Sequence, residues 1–202
     1  MLSVIGLIHA LLLLSFLVST ASWSAGSLTA SVAPAPATAN LSATGTTDWV
    51  HWGLSSVSSV NRKAGGSPQI STFKTVGGSA RRYSPRAGAR MAYKWTDGTP
   101  TVSANTTAGV YLSGVNNHYE LNIPADTLPK TLTLYLGGYK ARGALRASLS
   151  DGSAPPSTVT IDNRAGPIDR AVTLDFASAS AGQTLQLRYT LLDDYGVGGN
   201  IT

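Results

Sequence analysis

Leu185-Gln186-Leu187-Arg188-Tyr189-Thr190-Leu191 decides how this chain folds. A large side chain stands at every second position and polar ones fill the gaps. Successive side chains of an extended strand project to opposite faces, so a period of two buries one face and wets the other. A helix, turning every 3.6 residues, would scatter these side chains around its surface. The pattern recurs upstream. Val172, Leu174 and Phe176 alternate with Thr173 and Asp175, and Leu145, Ala147 and Leu149 with Arg146 and Ser148. Leu132, Leu134 and Leu136 alternate with Thr131, Thr133 and Tyr135, and Tyr119, Leu121 and Ile123 with Glu120 and Asn122. Met91, Tyr93 and Trp95 share one face, with Arg90 and Lys94 on the other. Recurrence on this scale predicts an all-β chain.

Turn residues punctuate these segments: Asp97-Gly98, Pro124-Ala125-Asp126, Gly137-Gly138, Asp151-Gly152, Pro155-Pro156, Gly166-Pro167 and Ala181-Gly182. Short strands joined by such turns indicate an antiparallel β-sandwich, jelly-roll-like, with about eight strands. Leu54, Val57 and Val60 stand three apart, which suits one helical turn or an ordered Ser-rich loop. The sandwich domain is expected over residues 38–202. Gly198-Gly199-Asn200-Ile201-Thr202 reads as the opening of a last strand that is cut off, as in a piece of a longer protein.

The first residues carry a different signal. Val4 to Val18 is an almost unbroken apolar run, followed by small residues at Ser19, Thr20 and Ala21. That is the layout of a secretory signal peptide over residues 1–21, with cleavage after Ala21 or as late as Ala25. It lacks the usual leading Lys or Arg, the first of which is Arg62. A retained N-terminal anchor and a buried apolar helix are the alternatives; with the signal removed, no other run is long enough to span a membrane. The expected location is secreted, periplasmic or cell-surface. Residues 22–37, uncharged and rich in Ala, Ser and Pro, read as a linker or a first edge strand.

Cysteine is absent, so stability must come from packing and sheet hydrogen bonds, and thiol chemistry is excluded. Charged residues make up 12% of the chain and the net charge is +5. The basic residues group loosely: Arg62-Lys63, then Arg81, Arg82, Arg86 and Arg90, then Lys140, Arg142 and Arg146. Such a surface attracts anionic polymers, or is simply a sheet face kept soluble by Arg. The dense basic patches with interleaved aromatics typical of nucleic-acid modules are missing, and export argues against that partner.

The densest cluster of chemically useful residues is Thr47-Asp48-Trp49-Val50-His51-Trp52-Gly53. On a strand, Trp49, His51 and Gly53 share one face, with Val50 and Trp52 on the other. Two readings follow. Flat indoles stack on sugar rings while Asp48 and His51 bond hydroxyls, making Asp48, Trp49, His51 and Trp52 the candidate ligand-binding residues. Alternatively both Trp plug the end of the sandwich, since large aromatics dominate core burial. Trp95 lies with Met91 and Tyr93 on a core face, and Asp97-Gly98 after it reads as a turn.

This string, with Asn61-Arg62-Lys63-Ala64-Gly65, Trp95-Thr96-Asp97-Gly98-Thr99-Pro100, Ile123-Pro124-Ala125-Asp126-Thr127 and Leu149-Ser150-Asp151-Gly152-Ser153-Ala154-Pro155, resembles a module of secreted bacterial proteins. Those modules are similar to galactose-binding-like jelly rolls and are often attached to larger extracellular or cell-wall-active proteins. The resemblance implies a β-sandwich and carries over no ligand residues.

Catalytic signatures are missing: there is no Gly-x-Ser-x-Gly elbow, His-Glu-x-x-His or phosphate-cradling Gly loop. A glycosidase needs paired carboxyl groups, and the single Glu here is Glu120. Asp193-Asp194, beside Gly196 and Asn200, offers hard oxygens for a structural Ca²⁺, or is a solvated loop. The leading expectation is a non-catalytic extracellular binding module for a polysaccharide or cell-surface glycan, with a structural or adhesive spacer as runner-up and a secreted hydrolase third.

Overall fold

In the computed structural model, which describes residues 25–83 and 90–202, the alternating segments form the sheets they predict. The signal peptide expected over residues 1–21 lies outside the described residues. In chain order the elements begin with β1 (Ser27–Pro34), β2 (Thr38–Asn40), one helical turn α1 (Leu41–Thr44), β3 (Val50–Trp52), β4 (Val60–Lys63) and β5 (Lys74–Val76). Next come β6 (Arg81–Tyr83), β7 (Ala92–Trp95), β8 (Gly98–Thr99), β9 (Ala104–Thr106) and β10 (Gly109–Tyr111). The chain continues with β11 (His118–Ala125), β12 (Lys130–Leu149), β13 (Ser157–Ala177), β14 (Gln183–Asp194) and β15 (Asn200–Ile201).

The long strands build one antiparallel sheet in the order β1-β13-β12-β14-β11-β5, with β15 also pairing β12. The other layer consists of three small sheets, β2-β7-β9, β3-β4-β8 and β10-β6. β2 and β7 run parallel; the other described pairings are antiparallel. The fold is therefore an all-β sandwich with one continuous layer and one fragmented layer.

The period-two leucines supply the core. Val172, Leu174, Leu185 and Leu191 have no exposed surface, and Leu145, Leu187 and Ile123 are buried with them. Burying each such side chain is worth about 1.5–3 kcal/mol, which makes this face the main stabilising feature. A second, smaller cluster joins Ala39, Leu41, Trp49, Met91 and Trp95 in the fragmented layer.

Four local expectations need correction or resolution. Gly137-Gly138 is not a turn: β12 runs through it as a single strand of 20 residues. Gly137 lies opposite Asp169, where an added Cβ would meet the Ile168 carbonyl oxygen at 2.3 Å, so the glycine allows close strand approach. Gly166-Pro167 likewise lies inside β13, where the register shifts between Tyr139 and Ala141. At this bulge Lys140 adopts a φ of 44°, and Asn163 Nδ2 donates to the Gly166 and Pro167 carbonyls. Residues 54–59 form turns and bends rather than a helix, and the helical turn falls instead at Leu41–Thr44, capped by Asn40. Within the stretch read as linker or edge strand, Ser27–Pro34 is an edge strand on β13.

Candidate ligand cavity between the layers

β3 is only three residues long and pairs with β4 through Val50↔Arg62, His51↔Asn61 and Trp52↔Val60. Strand alternation turns Trp49 and His51 to one side and Trp52 to the other, so the two indoles have different surroundings.

Trp49 is 3% exposed and packs on Trp95, with ring centroids 5.3 Å apart. Its Nε1 donates to Asp97 Oδ1 at 3.0 Å, and Trp95 Nε1 donates to the Thr101 carbonyl at 2.9 Å. Asp97 also accepts from Lys63 Nζ at 2.5 Å and from the Ser42 hydroxyl. Burial works to raise the Asp97 carboxyl, but the bonds from Lys63, Ser42 and Trp49 outweigh it and hold it below the usual carboxylate range. Asp97 is thus more than a turn residue, because it ties α1, β4 and the Trp49 indole together. Asp48 is also committed to structure: its Oδ2 accepts from the backbone N–H groups of Gln69 at 2.8 Å and Ile70 at 3.0 Å.

His51 is 5% exposed, with its ring about equally close to Tyr93 (5.2 Å) and Trp95 (5.1 Å). Its Nε2 lies 3.0 Å from the Ala108 carbonyl oxygen. A carbonyl only accepts, so Nε2 carries the proton and Nδ1 presents a bare lone pair. Burial pushes the imidazole down to about 4 against a slight upward pull from the Ala108 bond, leaving His51 neutral near pH 7.

Trp52 faces the large sheet. Its ring meets Phe73 edge-on at 5.5 Å, and Phe73 meets Tyr119 edge-on at 5.3 Å. Trp52 Nε1, Tyr119 Oη and His51 Nδ1 are all buried with no hydrogen-bond partner among the described residues.

All three side chains line one cavity of about 420 Å³. Leu121, Leu134, Leu145, Leu187 and Tyr189 form its wall on the large sheet, facing Trp52, Tyr83 and Tyr93 of the fragmented layer. Asp48 and Trp49 also reach it. Gly109 admits the Tyr83 hydroxyl, since a Cβ there would lie 2.3 Å from that oxygen. Burial raises the Tyr93, Tyr119 and Tyr189 phenols above their ordinary value, so these hydroxyls stay protonated. Asp48 is the one charged residue among the described lining, which includes no Lys or Arg. The arrangement has the chemistry of a binding pocket: apolar and aromatic walls with a few hydrogen-bonding atoms.

The four residues singled out in the sequence, Asp48, Trp49, His51 and Trp52, therefore meet at one cavity in different ways. Asp48 and the Trp49 N–H are occupied by the protein itself, whereas His51 and Trp52 each keep a polar atom without a partner. Sequence reading missed Phe73, Tyr83, Tyr119 and Tyr189. Their signal, aromatics on or beside alternating strands, is the same as that of ordinary core residues.

Asp193 and Asp194 have partners of their own. Arg142 Nε donates to Asp193 Oδ2 at 2.5 Å, and the Gly196 N–H donates to Asp194 Oδ1 at 3.0 Å. No group of three His, Cys, Asp or Glu able to hold a metal ion occurs among the described residues. Several of the basic residues act as fasteners. Arg62 donates to the Ile70 carbonyl, Arg82 to the Gly53 and Leu54 carbonyls, and Arg90 to Gly138 and Thr202 beside Asp169.

Compared with protein-family models, with curated proteins and with solved structures, the chain matches none.

Proposed function

We propose that this chain is a non-catalytic, exported binding module that takes a small molecule into the cavity between its two layers. One observation carries the reading: a single cavity between the layers is walled by leucines and aromatics of both layers, with Asp48, His51 and several Tyr among its lining residues. The volume of about 420 Å³ falls in the lower part of the roughly 300–1,000 Å³ typical of small-molecule sites.

Sugar stacking on a rim platform has less support, because the Trp49 indole is buried and its N–H is held by Asp97. At the cavity, a glycan reading survives only for a short saccharide that enters it. The spacer reading is favoured by one observation, the packing of Trp49, His51 and Trp95 into each other.

Screening the purified protein by thermal shift against small-molecule and glycan panels tests the proposal. Stabilisation by a small ligand, lost in a Leu145→Trp variant that fills the cavity, supports it. No stabilisation by any member of either panel leaves the spacer.

A further inference from the structure

We propose that the outer face of the sheet β2-β7-β9 holds a second site, which takes the carboxylate and neighbouring hydroxyls of an acidic saccharide. The site is separate from the cavity between the layers and does not rest on it.

Strand register brings its residues together. Asn40 lies opposite Lys94 across β2 and β7, and Lys94 lies opposite Asn105 across β7 and β9. Paired positions on neighbouring strands project to the same face, so the three side chains stand in one row. Their chain neighbours Ala39, Trp95 and Thr106 are buried on the other face, whereas Lys94 and Asn105 are exposed. Thr96 and Ser103, two positions along from Lys94 and Asn105, are exposed as well. All five residues line one open depression on this sheet. Trp95, 1% exposed, anchors the strand from below: its Nε1 donates to the Thr101 carbonyl, and the Thr96 N–H donates to the Ser42 hydroxyl. The row therefore stands on fixed backbone.

The hydrogen-bonding capacity of this row is unspent. Lys94 makes no ion pair, and neither its ammonium nor the Asn105 side-chain amide has a partner among the described residues. Asn40 Oδ1 accepts from the Ala43 N–H at 3.4 Å, which leaves the Nδ2 hydrogens free. Lys63, Lys130 and Arg142 differ, since each is paired with a carboxylate, that of Asp97, Asp126 and Asp193 respectively. No Asp or Glu is among the described residues that line the depression.

Charge and hydrogen bonding select the occupant. An ammonium only donates, so Lys94 calls for an acceptor, and an anionic oxygen gains most. An exposed ion pair adds little by itself, so a bare anion is held weakly. It would also leave unused the amides of Asn40 and Asn105 and the hydroxyls of Thr96 and Ser103, which both donate and accept. Sugar hydroxyls match that dual character. With strands about 4.8 Å apart, the row from Asn40 to Asn105 spans about 10 Å, longer than an inorganic oxyanion and enough for a short saccharide. A nucleic acid fits less well. Lys94 is the one cation among the described lining, and the one aromatic there, Trp95, is buried, so phosphates and bases lack partners.

An NMR titration of the purified protein that follows the side-chain amide signals of Asn40 and Asn105 tests the site. The probes are digalacturonate, neutral galactobiose and acetate, which offer charge with hydroxyls, hydroxyls alone and charge alone. Digalacturonate should move both amide signals and bind about fivefold tighter than galactobiose, the worth of one exposed ion pair, with acetate weaker than either. The advantage over galactobiose should shrink at high salt. Lys94→Gln should bring the digalacturonate-to-galactobiose ratio close to one, and Asn105→Ala should weaken both sugars alike. Both variants replace exposed side chains, so the fold persists. If galactobiose binds the wild type as tightly as digalacturonate, the carboxylate requirement is overturned. If acetate binds as tightly as digalacturonate, the saccharide is overturned in favour of a simple oxyanion. If digalacturonate moves neither amide signal, or binds Lys94→Gln undiminished, the site is overturned while the cavity reading stands.

Discussion

Acidification perturbs one buried group with a calculable effect. In the fold, burial holds the His51 imidazole at about 4, against an ordinary value of 6.5. Between those two values the unfolded chain binds a proton that the folded chain does not, so stability falls as pH falls. The stability is fully present above about pH 6.5 and is lost progressively down to about pH 4. Each tenfold rise in proton concentration is worth about 1.4 kcal/mol for a group that titrates in only one state. The whole interval therefore amounts to roughly 3 kcal/mol. That is a large fraction of the roughly 5–15 kcal/mol typical of a domain. Below this window the Asp97 carboxyl, held low by Lys63, Ser42 and Trp49 against its burial, adds a further loss. The assay is urea unfolding followed by Trp fluorescence at several pH values from 7.5 to 4.5. His51→Gln should be less stable at pH 7 and should flatten the slope between pH 6.5 and 4.5. A wild-type midpoint that does not move over that interval, or an undiminished slope in His51→Gln, would refute the neutral buried imidazole.

Other substitutions probe separate links. Tyr119→Phe removes a buried hydroxyl with no partner and should leave thermal stability equal or higher, while Tyr189→Phe removes the bond to the Gly137 carbonyl and should cost about 1 kcal/mol. Asp97→Asn weakens the bonds to Lys63, Ser42 and Trp49 and should lower stability by about 1–3 kcal/mol in urea titration, with the Trp49 indole N–H signal shifted. Leu185→Ala, at a site with no exposed surface, should cost about 2–5 kcal/mol by the same measurement. Gly137→Ala forces a Cβ against the Ile168 carbonyl and should destabilise strongly, whereas an alanine at a true turn glycine would not meet a facing strand.

The core was legible because it depends on one repeating local rule. Leu185, Leu187, Val172 and Leu174 declare their inward face by spacing alone. Boundaries were less legible, because glycine and proline have two uses that look alike in sequence. Gly137 lets two strands approach and Gly166-Pro167 forms a bulge, yet both resemble turns. The candidate site was half legible. The Trp49-His51-Trp52 cluster announced itself by density, but the opposite roles of its two indoles depend on Asp97 and Phe73, which lie far off in sequence. The cavity was not legible, since it depends on the spacing between layers, and Tyr119 and Tyr189 pattern like any other core aromatic.

A crystal structure of the protein with the compound that stabilises it most in the thermal-shift screen tests the central claim most directly. The account predicts density for that compound between the two layers, against Leu145 and Leu187. A cavity filled by the protein's own side chains, or a compound bound only outside the sandwich, would contradict it.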